Sequence, residues 1–259
     1  MNRVKIAYGE QDEQFGHLYL PESPVAEPLP VIMIIHGGFW SGQYALNLGT
    51  QYATEFADAG FAAWNIEYRR VGAGGLWPET SADVAQALDA VGGVVQGHSP
   101  IPLDLGDVRV LGHSAGGHLA GWLASRRESS IRPSRVVLQA AVLDLAFGPA
   151  HGSVNPAVHA FLGASFEDDP DLYRSASPAH LLPTGVPVHC IHGSLDVQVP
   201  VSQSERYVAA ATDAGDEAVL SVIDGEDHFA FLQPGSSCWN RSVTAATDRA
   251  AHQLECERR

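Results

Sequence analysis

The sequence predicts an α/β fold, a mostly parallel twisted sheet with helices on both faces, formed by one domain over residues 1–259. Three observations predict it. Apolar, β-branched runs of strand length alternate with helix-compatible stretches along the chain, the pattern of a sheet whose parallel strands are joined by helical crossovers. The run Val31-Ile32-Met33-Ile34-Ile35 is apolar throughout, as suits a strand covered on both faces. The polar clusters fall at the ends of such runs, which is where open α/β sheets bind ligands.

In chain order, residues 4–8 and 14–20 read as short edge strands, and the proline-rich stretch 21–30 reads as a surface connection. A buried strand at 31–36 ends in His36-Gly37-Gly38-Phe39-Trp40. Residues 43–59 suit a helix stopped by Gly60, and residues 61–68 form a second buried strand. After a glycine-rich loop, Thr80 or Ser81 can cap a helix running to about Val95, with Asp83 in its first turn. A strand from Val108 and a helix over 117–126 flank Gly112-His113-Ser114-Ala115-Gly116. Residues 135–143 form a strand. Residues 144–185 are less regular, hold a helical stretch at 156–162, and read as a short lid. Strands at 186–192 and 218–223 and helices at 201–214 and 242–256 complete the chain.

The formal charge of -15 disfavours nucleic acid and anionic membrane as partners. The first residues lack a signal-peptide core, and no apolar run approaches the roughly 18 residues of a membrane span. The expectation is therefore a soluble, cytoplasmic protein. Cys190, Cys238 and Cys256 are widely spaced and odd in number, which implies neither a disulfide framework nor a zinc site. His189 and His192 lie three apart on a strand and point to opposite faces, with no third ligand at suitable spacing, so no metal or other cofactor is expected.

Gly112-His113-Ser114-Ala115-Gly116 is G-x-S-x-G between a strand and a helix. Near-absent side chains two residues either side of the serine let the backbone turn sharply and present Ser114 at a helix N-terminus. A serine hydroxyl becomes a nucleophile when an imidazole takes its proton, and the imidazole needs a carboxylate to fix its tautomer. His228 and Asp196 each follow a later strand, in the chain order Ser, Asp, His. That order is known for the α/β-hydrolase fold. Asp224, Glu226 and Asp227 lie too near His228 in sequence to reach round its ring easily. Asp144 is the rival acid. An oxyanion forming on the substrate would meet the amides of Gly38 and Phe39, in the glycine loop after the first long buried strand, and of Ala115. His36 is expected to pin that loop by hydrogen bonding.

Together His36-Gly37-Gly38-Phe39-Trp40, Gly112-His113-Ser114-Ala115-Gly116-Gly117 and His192-Gly193-Ser194-Leu195-Asp196 resemble the α/β-hydrolase esterases with a His-Gly-Gly oxyanion motif. Within that group the chain looks most like arylformamidases (kynurenine formamidases) and the small carboxylesterases near them, which share a tryptophan two residues after the second glycine. The resemblance implies the fold, the serine mechanism and the triad, and leaves the substrate open. Phe39 stands where the hormone-sensitive-lipase group has a third glycine, and His113 where it usually has aspartate.

The expected activity is hydrolysis of a short-chain carboxylic ester through an acyl-Ser114 intermediate, with an aryl formamide as the alternative substrate. Trp40, Trp77 and His113 are candidates to contact the substrate. A peptidase of this fold usually adds a gating domain, for which the chain has no room. A non-catalytic hydrolase-fold receptor for small molecules is the reading from another class. The partner is a small ester or amide, and a second copy of the chain is the one macromolecular candidate.

Overall fold

The computed structural model describes residues 2–22, 28–152 and 155–248. The middle of the proline-rich connection, Cys256 and the end of the expected closing helix lie outside these residues. The chain order is β1 (Asn2–Ala7), β2 (Phe15–Leu20), β3 (Leu29–Ile35), α1 (Thr50–Asp58), β4 (Ala62–Ile66), α2 (Glu79–Asp89), α3 (Val94–His98), β5 (Leu103–His113), α4 (Ala115–Ala124) and β6 (Arg135–Gln139). Then follow α5 (Phe147–Ala150), α6 (Pro156–Leu162), α7 (Pro170–Ala176), β7 (Val188–Gly193), α8 (Ser202–Asp213), β8 (Ala218–Ile223) and α9 (Ser237–Thr247).

The eight strands form one sheet in the order β1-β2-β4-β3-β5-β6-β7-β8. β2 pairs antiparallel with both β1 and β4, and every pairing from β4 to β8 is parallel. The carboxyl ends of β3, β5, β6, β7 and β8 therefore share one edge of the sheet, and the loops that carry polar residues leave from it.

Alternation within the buried strands explains the two layers. In β3, Val31, Met33 and Ile35 enter the larger core with Trp64, Leu88, Leu119 and Leu123. Ile32 and Ile34 enter the opposite core, where Tyr52, Phe56 and Trp239 pack. A strand buried on both faces has no polar side to show, which is why it reads as a continuous apolar run.

Several boundaries differ from those read in the sequence, and long-range contacts account for most of the differences. The helix expected over 43–59 is a 3-10 turn at Leu46–Gly49 followed by α1. Thr80 and Ser81 do not cap α2: their hydroxyls donate to the carbonyls of Arg69 and Pro78. Asp83 is buried and takes a two-pronged hydrogen bond from the Arg69 guanidinium, at 2.9 and 2.7 Å. The helix expected to reach Val95 breaks at residues 90–93 and restarts as α3.

β5 begins at Leu103, earlier than expected, and β6 stops at Gln139, where Ala140 turns to φ +44°. The segment between β6 and β7 holds three helices where one was expected. Asn155 and Asp169 cap α6 and α7, each followed by a proline at the first helical position. α9 begins at Ser237, capped by Ser236.

Arg109 ties the centre of the sheet to the last described helix. Its side chain is 3% exposed. It pairs with Asp107 at 2.8 and 2.7 Å and donates to the carbonyls of Ala246 and Asp248. Removing one member of a buried ion pair leaves the other charge poorly compensated. Arg109→Met is expected to cost about 3 kcal/mol of stability, seen as a lower urea midpoint; an unchanged midpoint would contradict the role given to this residue.

Candidate active site

β5 ends in His113, and the chain enters α4 through Ser114 at φ +54° and ψ -116°. A non-glycine residue held there carries backbone strain that the surroundings must impose. The Ser114 amide donates to the Gln139 carbonyl at 2.8 Å, and the Ser114 carbonyl accepts from His118 at 3.0 Å. A side chain on Gly112 would overlap the Gly116 carbonyl, and one on Gly116 would overlap the carbonyls of Ile35 and His36. The two glycines of the motif are thus required by contacts between backbones.

The loop after β3 lies directly over this turn. A Cβ on Gly37 would stand 2.7 Å from the His113 carbonyl and 3.2 Å from the Ser114 Cβ. Gly38, Phe39 and Trp40 follow with φ of +115°, +58° and +53°. The amides of Gly38, Phe39 and Ala115 donate to no group among the described residues. Free amides close to a serine hydroxyl are what an oxyanion requires.

Pinning this loop is a buried ionic cluster that includes residues the sequence reading missed. His36 accepts the Tyr68 hydroxyl at its carbonyl, and its Nε2 lies 2.8 Å from Glu67 Oε1. Glu67 also pairs with Arg70 and accepts the amides of Leu46 and Tyr68. Burial pushes the Glu67 carboxyl up, but His36 and Arg70 outweigh it and bring its pKa down to about 2. Two charged residues at the end of a buried strand were the available signal.

His228 and Asp196 meet. His228 Nδ1 lies 2.6 Å from Asp196 Oδ2, with both side chains at most 4% exposed. Asp196 Oδ1 accepts the amides of Gln198 and Val199, both at 2.8 Å. Fully buried His192, which the sequence reading did not connect to the acid, stands 3.3 Å from Asp196 Oδ2 and is held by Ser204 and the Val199 carbonyl. Burial raises the Asp196 pKa, and the hydrogen bonds from His192, His228 and the Val199 amide more than reverse it. The carboxylate is therefore held well below its usual range.

The rival acids are engaged elsewhere. Asp144 accepts the amides of Ala146 and Phe147, and Asp227 those of Phe229 and Ala230. Glu226 accepts the Ser237 amide, and Asp224 the Ser194 hydroxyl.

His113, next in the chain to Ser114, contacts His228. The His113 ring lies 4.7 Å from the His228 ring, and its Nε2 donates to the His228 carbonyl at 3.1 Å. Nδ1 of His113 is buried without a partner. Burial and the neighbouring His228 push the His113 pKa down to about 3, so the ring is neutral and carries its proton on Nε2. Among the described residues Ser114 Oγ makes no hydrogen bond. His228 Nε2, the nitrogen not used by Asp196, is the one available to it; such contacts often tighten only when substrate binds.

Of the three expected substrate contacts, two are buried and one is half-buried. His113 is buried beneath His228. Trp40 is 2% exposed, stacks on Phe161 at 4.6 Å and donates to His118 Nδ1 at 3.2 Å. The positive φ at Trp40 turns its ring inward. Half-buried Trp77 packs edge-on to Trp122 and Phe161. These aromatic rings join the loop after β3 to α4 and α6. Among the described residues no group of three His, Cys, Asp or Glu is placed to hold a metal ion, and no helix is long and apolar enough to cross a membrane.

Comparison with known proteins gives concordant matches. The BD-FAE family model matches residues 17–210. The chain is 27% identical to Esterase LipQ of Mycobacterium tuberculosis, over 82% of this chain and 52% of that protein. It is 25% identical to a probable isoprenylcysteine alpha-carbonyl methylesterase of Oryza sativa subsp. japonica, over 88% of this chain and 58% of that protein. The chain thus spans about half the length of the curated relatives it matches. In structure it is similar to a truncated carbohydrate esterase from gut microbiota, with TM-score 0.79, 20% identity and coverage of 98% of this chain and 97% of that one. Esterase Est2 of Thermogutta terrifontis, solved with butyrate bound, gives TM-score 0.74 at 21% identity, covering 98% and 94% of the two chains. These structures share the α/β-hydrolase fold with this chain.

Neutral buried imidazoles make the fold sensitive to acid. Burial lowers His113 to about 3 and His118 to about 4, from an ordinary 6.5. Between those values the unfolded chain binds more protons than the folded one. Their contribution is therefore complete above about pH 6.5 and is lost as the pH falls toward 3 to 4. By pH 5 the loss is on the order of 2 kcal/mol per ring. Urea midpoints measured from pH 7 down to pH 5 are expected to fall steeply; a flat profile would contradict the neutral assignment.

Proposed function

The chain belongs to the BD-FAE family, and on that footing we propose that it hydrolyses short-chain carboxylic esters through an acyl intermediate on Ser114. The observation that supports this reading is the strained Ser114, at φ +54°, next in the chain to His113, whose ring lies 4.7 Å from that of a His228 with Nδ1 2.6 Å from Asp196. Ser114 Oγ attacks the ester carbonyl while His228 Nε2 takes its proton, and Asp196 stabilises the resulting imidazolium. Charge forming on the carbonyl oxygen is met by the amides of Gly38, Phe39 and Ala115. The alcohol leaves with the proton from His228. Water, activated by the same ring, then attacks the acyl-serine, and the acid departs as Ser114 recovers its proton.

Ester hydrolysis is supported by the names of the curated relatives. A short acyl group is supported by the packing of Trp40, Trp77 and Phe161, which fills space beside the oxyanion loop. The butyrate bound to the Thermogutta enzyme is a short carboxylate of the size expected for such an acyl group. No observation in the site favours a formamide over an ester.

Turnover of p-nitrophenyl acetate and butyrate is expected to exceed that of the octanoate, with Ser114→Ala lowering kcat by about 10⁴-fold or more. Absence of turnover on all three esters by the folded wild type would overturn the reading. Preference for N-formyl-kynurenine over the acetate ester would move it to an arylformamidase.

A further inference from the structure

Arg206, on α8, differs in its partners from five other arginines of the chain. Arg69, Arg70, Arg109, Arg126 and Arg174 each meet a carboxylate. Arg206 pairs with no carboxylate and donates no hydrogen bond among the described residues, and its Nε–H is buried without an acceptor. A buried donor left unpaired is costly, and its presence in a folded chain calls for a missing acceptor. The guanidinium is also held in place: it lies 3.7 Å over the ring of Phe147, which packs against His151 at 4.3 Å. Its planar N–H fork is thereby oriented and unspent.

Arg206 lines a cavity of about 280 Å³ whose other walls include Val142, Leu145, Phe147, Val158 and Pro200. Asp144 also lines it; its Oδ1 accepts the amides of Ala146 and Phe147 and lies 3.4 Å from His180 Nε2. The cavity adjoins both loops of the candidate active site. Val142 lies just beyond Gln139, which accepts the Ser114 amide, and Pro200 follows Val199, whose amide holds Asp196. Gln203, on α8, ties that helix to the segment after β6 by accepting the amides of Leu143 and Asp144 at 3.0 and 2.8 Å.

We propose that this cavity is a subsite for a carboxylate carried by the ester substrate, on its acyl or its alcohol part. The N–H edge of Arg206 accepts the carboxylate in a two-pronged pair, and the apolar walls take the linking methylenes. Because the surface as a whole is acidic, with a formal charge of -15, attraction of the anion is local to this guanidinium. The proposal rests on the ester-hydrolase reading and names the substrate class for it.

The test compares kcat/KM for monomethyl glutarate and monomethyl adipate with that for methyl pentanoate and methyl hexanoate. A second arm compares O-acetyl derivatives of hydroxy acids with acetate esters of simple alcohols. At least one charged series should be preferred over its neutral counterpart, and which one shows the part that carries the carboxylate. In R206Q the charged-to-neutral ratio should fall by about tenfold or more, the scale of a charge-assisted pair, and R206K should recover part of it. No preference in either arm, or an R206Q ratio equal to that of wild type, would overturn the subsite while p-nitrophenyl acetate turnover left the serine reading standing. Calorimetric titration with glutarate decides the subsite even if no ester is cleaved: binding to wild type but not to R206Q supports it, and equal binding or none to both refutes it.

Discussion

Where β5 turns into α4, three stretches of backbone come into contact. The carbonyls of Ile35 and His36 press on Gly116, and the Gly116 carbonyl presses on Gly112. No side-chain carbon fits at either position, so β3 and the elbow approach as closely as two chains can. Ser114 takes a conformation it would not adopt alone, secured by Gln139 of the neighbouring strand. The same contact sets the loop after β3 over the serine, which puts the free amides of Gly38 and Phe39 beside the free amide of Ala115. The proposed nucleophile and the proposed oxyanion donors thus share one structural origin.

The remaining groups are held by networks that shed little charge to solvent. Asp196 is surrounded by two amides and two imidazoles, and Glu67 by His36, Arg70 and two amides. In each case hydrogen bonds to the ionised form overcome the cost of burial. His113 acts differently. It remains neutral and hydrogen-bonds the backbone of His228, so it holds that proposed base without adding a positive charge next to it.

Much of this was legible in the sequence because it depends on local rules. Continuous apolar runs marked the doubly covered strands, and G-x-S-x-G between a strand and a helix marked the elbow. The order Ser114, Asp196, His228 at successive strand ends marked groups that parallel topology brings to one edge. The caps Asn155-Pro156 and Asp169-Pro170 were equally local, though only the first yielded a helix in the reading. What was not legible depends on partners distant in sequence. Asp83 looked like a helix-start acid and is the buried partner of Arg69. Glu67 and His192 are recognised as supports only once His36 and Asp196 stand beside them. Trp40 looked like a pocket wall, and three successive positive φ values turn it into the core. Side-chain direction in an irregular loop is set by such dihedrals, which composition does not encode.

In the proposed mechanism one serine is made reactive by the elbow and by the His228–Asp196 pair. A fluorophosphonate probe tests this directly, because it reacts with an activated serine hydroxyl and leaves a stable mass label. Peptide mass spectrometry of the labelled protein is predicted to show one adduct per chain, on Ser114, forming far more slowly in Asp196→Asn. A folded protein that takes no label, or takes it on another residue, would contradict the central claim.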